Sequence, residues 1–205
     1  MEDAKVWMKA HQTELLEMYN AELFKEMWDK YATGNISSWE MDALCFYYND
    51  HELKDVDMSK YGIVDFDSLP REPRVAYRYN RNGQSLPVFE LTRIAGTVVS
   101  KNDMRHTISL LTTTGVVTVK FTKDYYARAG RQISEVGSDG KKHVQEKGWF
   151  VRGTKLLVTG FRREDTFVAK TYKNTSGHQL YKITDVYGDS LELIHTRYGE
   201  ESDDD

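Results

Sequence analysis

Residues 89–121 read "FELTRIAGTVVSKNDMRHTISLLTTTGVVTVKF". Apolar and polar residues alternate in this stretch, and the alternation breaks twice, at "KNDM" and at "TTTG", before resuming. A period of two marks strands that are buried on one face and wet on the other. The spacing predicts three strands, over about 90–100, 105–113 and 116–122. "TKDYYARAGRQ" then reads as a short helix or turn. "ISEVGSDGKKHVQE" reads as an inserted hairpin near 133–147, with Asp139-Gly140 at its tip. "TKLLVTGFRRE" is the next strong strand, and "TFVAKTY" continues it or pairs with it. "HQLYKITDVY" follows, then "DSLELIHTR" after a Gly188-Asp189 turn.

Gly96 and Gly160 fall inside long strands, where a missing side chain permits the coiling that closure of a sheet demands. Five main strands with a helix between the third and the fourth match the oligonucleotide-binding (OB) barrel. A two-sheet sandwich is the other architecture, but evenly spaced strands for it are not evident.

Upstream the period is helical. Leu16, Tyr19, Leu23, Met27 and Tyr31 recur three or four apart, with glutamates between them, so 4–31 is expected to be helix with Gly34 as its stop. The apolar positions are expected to pack against the fold. "NISSWEMDALCFYYN" restarts a helix under a Ser37 or Ser38 cap. All three prolines (Pro70, Pro73, Pro87) lie between 51 and 87, which predicts a surface-wrapping connector with one short strand at 74–79. The class is α+β. A helical region (1–50) and a connector (51–87) precede an OB barrel (88–199), and an acidic, disordered tail (200–205) ends the chain.

The formal net charge of −4 conceals an asymmetry. Residues 1–87 sum to −6, residues 88–199 to +7, and the tail "EESDDD" to −5. A basic module between acidic flanks points to a polyanionic partner. No apolar run reaches the roughly 18 residues of a membrane span. The N-terminus has no signal-peptide core, and the single Cys45 fits a reducing cytoplasm. The six histidines are scattered without ligand spacing, so neither metal nor cofactor is expected. No phosphate-binding glycine loop and no Ser/His/Asp set is present. Asp65 and Asp67 read as a solvated turn. Taken alone, the chain is expected to catalyse nothing.

Single-strand binders combine phosphate-seeking cations with aromatic faces. The loop between strands one and two offers Lys101, Arg105 and His106, and strand three offers Lys120. The region 162–178, read as the connection between strands four and five, offers Arg162, Arg163, Lys170, Tyr172 and Lys173. Phe121 and Phe161 read as barrel interior. Lys141 and Lys142 are as readily plain surface.

"EMDALCFYYNDHEL", residues 40–53, resembles a segment that precedes the C-terminal OB domain in the bacterial replicative DNA polymerase III alpha subunit. Glu40, Leu44, Tyr47, His51 and Leu53 match. Cys45 and Glu52 stand where that family has Gly and Pro, which suggests a divergent or phage-type version. Residues 91–126 resemble the opening of the same family's OB domain. The resemblance covers about 40–187. It implies a non-catalytic C-terminal part of such a polymerase, with the barrel on single-stranded template DNA and the sliding clamp or other replisome subunits as further partners. The family also carries a sliding-clamp peptide upstream, for which "NAELF" (Asn20, Leu23, Phe24) and "QTELL" are partial matches, although such peptides dock extended. The alternative is an independent OB module that binds RNA or a protein partner.

Overall fold

The computed structural model describes residues 6–7, 9–31, 36–44, 46–138, 140–173 and 177–199. Gly34, Cys45, Asp139 and the acidic end 200–205 therefore lie outside the described residues. Helices α1 (Gln12–Tyr31) and α2 (Ile36–Leu44) come first. After two 3-10 turns the chain forms a hairpin of β1 (Val75–Arg81) and β2 (Gln84–Phe89). Then come β3 (Thr92–Asn102), β4 (Thr107–Leu111), β5 (Val116–Lys120) and α3 (Lys123–Gly130). A second hairpin, β6 (Ile133–Val136) and β7 (Lys142–Glu146), leads to β8 (Lys155–Arg163) and β9 (Thr166–Ala169). β10 (Leu180–Tyr187) and β11 (Ser190–Ile194) follow.

The alternating stretch becomes β3, β4 and β5, and these close a barrel with β9 and β8. β3 and β8 hold the ring together because each changes partner midway. Thr92–Thr97 of β3 pairs with β8, and Thr97–Asn102 pairs with β4. Lys155–Gly160 of β8 faces β3, and Gly160–Arg163 faces β9. Gly96 and Gly160 sit at these two changeovers. A Cβ on Gly96 would lie 2.3 Å from the carbonyl oxygen of Leu111, and one on Gly160 would lie 2.1 Å from that of Val168. The expected bends are thus corners where two backbones touch, which only glycine permits.

Alternation fills the interior. Ile94 and Val98 of β3, Ile108 and Leu110 of β4, Val117 and Val119 of β5, Leu156 and Val158 of β8 and Phe167 of β9 meet inside. Phe121 joins this core, and Phe161 is buried too. Helix α3 plugs one end with Tyr126 and Ala129, packed with Trp149 and Phe150. Each fully buried Val, Leu, Ile or Phe of this core contributes roughly 1.5–3 kcal/mol by leaving water.

The fifth barrel strand is β9, not the strand at 180–187. β9 has four residues and pairs in parallel with β5. It follows a two-residue turn at Glu164-Asp165, where Glu164 takes a left-handed φ of 51°. β10 and β11 instead extend the sheet beyond β8. Their side chains close a second core outside the barrel, where Leu53, Val56, Ala95, Leu157 and Ile183 meet.

The segment 40–53 clips this connector to the barrel. The Tyr47 hydroxyl lies 2.8 Å from Thr97 Oγ1 and 3.1 Å from Glu52 Oε1. The ring of His51 donates from Nε2 to the Leu111 carbonyl at 2.9 Å and accepts the Leu53 N–H on Nδ1 at 3.1 Å. Glu52, almost fully buried, pairs with Lys155 of β8 at 2.6 Å. The Glu40 carboxylate accepts the N–H groups of Tyr48 and Asn49. Four residues shared with the polymerase segment, Glu40, Tyr47, His51 and Leu53, therefore have a structural task.

Helix α1 departs from expectation. Its described side chains, residues 12–27, are all exposed, Leu16, Leu23 and Phe24 among them.

Candidate nucleic-acid interface

The loop from β3 to β4 is shaped by its own side chains. Asn102 Oδ1 accepts the Arg105 N–H at 3.0 Å. His106 adopts a left-handed φ of 53°, and its carbonyl accepts the Phe121 N–H. Asp103 accepts the Tyr126 hydroxyl at 2.8 Å and pairs with Lys101 at 3.2 Å. The Tyr126 hydrogen bond, then Lys101, holds the Asp103 carboxyl below its ordinary range. Burial, with Asp103 nearby, pushes the Tyr126 phenol up. The loop is thus pinned to α3, and its cations are presented beside the barrel wall.

Lys101, Arg105, His106 and Lys120 line one cleft of about 700 Å³ across β3, β4 and β5. Ser109, Thr107 and Thr118 add hydroxyls, and no carboxylate lines it. Cations and hydroxyls are the groups that contact phosphate and sugar oxygens.

Lys170 and Tyr172 line a neighbouring groove of about 500 Å³. The Tyr172 hydroxyl accepts the Phe89 N–H at 3.0 Å, and Lys170 lies 5.7 Å from the Tyr172 ring centroid. Lys120 lines this groove as well as the cleft, so the two adjoin. Arg163 is exposed over the rings of Phe89 and Phe161, both part of the groove's lining. Lys173 is exposed just before residues 174–176, which lie outside the described residues.

Two expectations need correction. Residues 166–169 are barrel strand, so Lys170, Tyr172 and Lys173 follow strand five rather than joining four to five. Arg162 is not a surface cation. It is buried, donates from Nη1 to the carbonyls of Phe66 and Leu69 at 2.9 and 3.0 Å, and stacks on the Phe66 ring. It anchors the connector, because β8 alternation turns it away from Arg163. Asn20, Leu23 and Phe24 are exposed on α1 in helical form.

The sequence reading missed the β1–β2 hairpin as a surface. Asn82-Gly83, with φ of 50° and 77°, is the two-residue turn that closes it, and that dipeptide is a strong hairpin signal. Pro87 in the second strand obscured it, since proline argues against a strand unless the strand is an edge. Among the described residues, no three His, Cys, Asp or Glu side chains cluster as a metal site needs. No helix among them is long and apolar enough to cross a membrane.

Comparison with known proteins points the same way as the segment 40–53. The chain is 42% identical over 201 residues to a probable DNA polymerase, YorL, of Bacillus subtilis (strain 168). It is equally similar to a DNA-directed DNA polymerase of Bacillus phage SPbeta. These alignments cover 98% of this chain but only 15% of either relative. No protein-family model matches the chain, and no solved structure matches it. The resemblance to a DNA polymerase, including a phage version, is borne out.

Proposed function

We propose, from this likeness to part of two DNA polymerases, that the chain is a non-catalytic, C-terminal part of a polymerase akin to the bacterial polymerase III alpha subunit. In this reading its barrel holds single-stranded template DNA in the cytoplasm. The observation that carries the reading is the cleft on β3–β5, where Lys101, Arg105 and Lys120 converge with hydroxyls and no carboxylate. A cationic groove beside aromatic platforms is how proteins track a single strand with little sequence preference. The Lys101–Asp103 pair is exposed, so exchanging Asp103 for phosphate costs little. Nucleotide transfer is assigned to the remainder of such a polymerase. A sliding clamp is the partner proposed for Asn20, Leu23 and Phe24, and docking it would require that turn of α1 to open.

The test is a salt titration of the purified chain with single-stranded DNA, duplex DNA and RNA. The triple variant Lys101→Ala, Arg105→Ala, Lys120→Ala should bind single strands more weakly. The slope of log K against log salt should become shallower by about two, near 0.7 per lost phosphate contact. Unchanged affinity in the variant would reject the cleft as the site. Preferential binding of RNA would favour the independent module instead.

A further inference from the structure

The β1–β2 hairpin carries no assigned role, yet its surface has a definite chemistry. Between Pro73 and Phe89 lie Arg74, Arg78 and Arg81 and no acid, inside a segment (1–87) whose overall charge is −6. Every residue of β1 is exposed. Alternation places Tyr77, Tyr79 and Arg81 on one face of the strand and Arg78 on the other. Tyr79 stands opposite Leu86, and both line the groove that holds Lys120, Lys170 and Tyr172. Lys120 belongs to the barrel cleft too. A continuous surface therefore runs from Lys101 and Arg105, over Lys120, and into the gap between hairpin and barrel.

We infer that this hairpin is a second contact for single-stranded DNA, receiving the strand that leaves the barrel cleft over Lys120. The inference rests on the barrel reading above and extends it. Bases stack against Tyr79 and Tyr172, which line the groove, and phosphates meet Lys170, Arg74 and Arg81. Cations interleaved with aromatics and free of acids suit a polyanion with π-faces, not an apolar protein segment. The fold prepares the groove, since the hydrogen bond from the Phe89 N–H to the Tyr172 hydroxyl fixes the base of β2 against the segment after β9.

The experiment measures anisotropy of labelled oligothymidylates of 8 and 24 nucleotides with the full chain. An 8-mer is within the roughly 4–16 nucleotides one OB fold occupies, and a 24-mer exceeds it. Two hairpin variants are compared with the cleft variant: Arg74→Ala with Arg81→Ala, and Tyr79→Ala alone. These side chains are exposed, so thermal melting should be unchanged. The inference expects the arginine variant to bind the 24-mer about tenfold more weakly, with a salt slope lower by about 1.4. Tyr79→Ala should weaken the 24-mer with little change in slope, and both variants should bind the 8-mer like the parent. Parental binding of the 24-mer by both hairpin variants, with 8-mer binding lost in the cleft variant, overturns the hairpin and leaves the barrel reading standing. Equal loss of both lengths in the hairpin variants overturns the extension as well. An 8-mer that the parent binds but the cleft variant retains rejects the barrel reading.

Discussion

At the scale of single residues, His51 shows how a shared motif turns into stability. Burial lowers its pKa below the ordinary 6.5, and the Leu111 carbonyl and Glu52 only partly oppose this. The neutral ring suits its bonds, donating at Nε2 and accepting at Nδ1. A depressed pKa means that the unfolded chain binds the proton more readily than the folded one. The contribution of His51 is therefore complete above the unfolded value of 6.5 and is lost as pH falls through the folded value. Lys155 and Glu52 sit beside it, and an incoming proton would disturb that buried pair too. His51→Ala should cost about 1–3 kcal/mol at pH 7.5. That is about 2–4 °C of melting temperature per kcal/mol in a chain of this size. The gap between variant and parent should narrow toward pH 5. A gap that stays constant with pH would show that His51 does not titrate in this way. Arg162 and Arg163 illustrate the limit of reading residues singly. Both are arginines at the end of one strand, but the connector covers one face of that strand, and only tertiary packing shows which.

Among the elements, the barrel strands were legible because their signal is local. Alternation marked β3, β4 and β5, and glycine inside long strands marked the corners. β9 was less legible, since four residues pairing in parallel with a strand some 50 positions earlier leave no local trace. The β1–β2 hairpin was announced by Asn82-Gly83 and hidden by Pro87. Helix α1 misled for another reason. Its 3.6-residue pattern is real, but periodicity cannot say what covers the apolar side, and Leu16 and Leu23 stay exposed. Paired substitutions make the contrast measurable. Gly96→Ala should destabilise the fold by about 3 kcal/mol, because its Cβ would press on the Leu111 carbonyl. Leu16→Gln with Leu23→Gln should leave the melting temperature where it was. A Gly96→Ala protein as stable as the parent would argue against a tight corner. A destabilised α1 variant would mean that α1 packs on the fold.

For the whole molecule, the charge asymmetry gave the first functional hint, and the fold gives it a place. The basic module builds a barrel whose open face gathers the cations of one loop and one strand. Lys101, Arg105, His106 and Lys120 were foreseeable because a barrel of known strand order brings that loop over that face. Lys170 and Tyr172 reach a groove beside it by a route the sequence did not disclose, following strand five. The central claim is that this face holds single-stranded DNA. Amide chemical-shift mapping of the labelled chain, titrated with a short oligothymidylate, tests it most directly. The account predicts that the largest changes fall in 100–107 and 116–120, fading with added salt. Changes confined to α1 and α2, with those barrel amides unmoved at saturation, would contradict it.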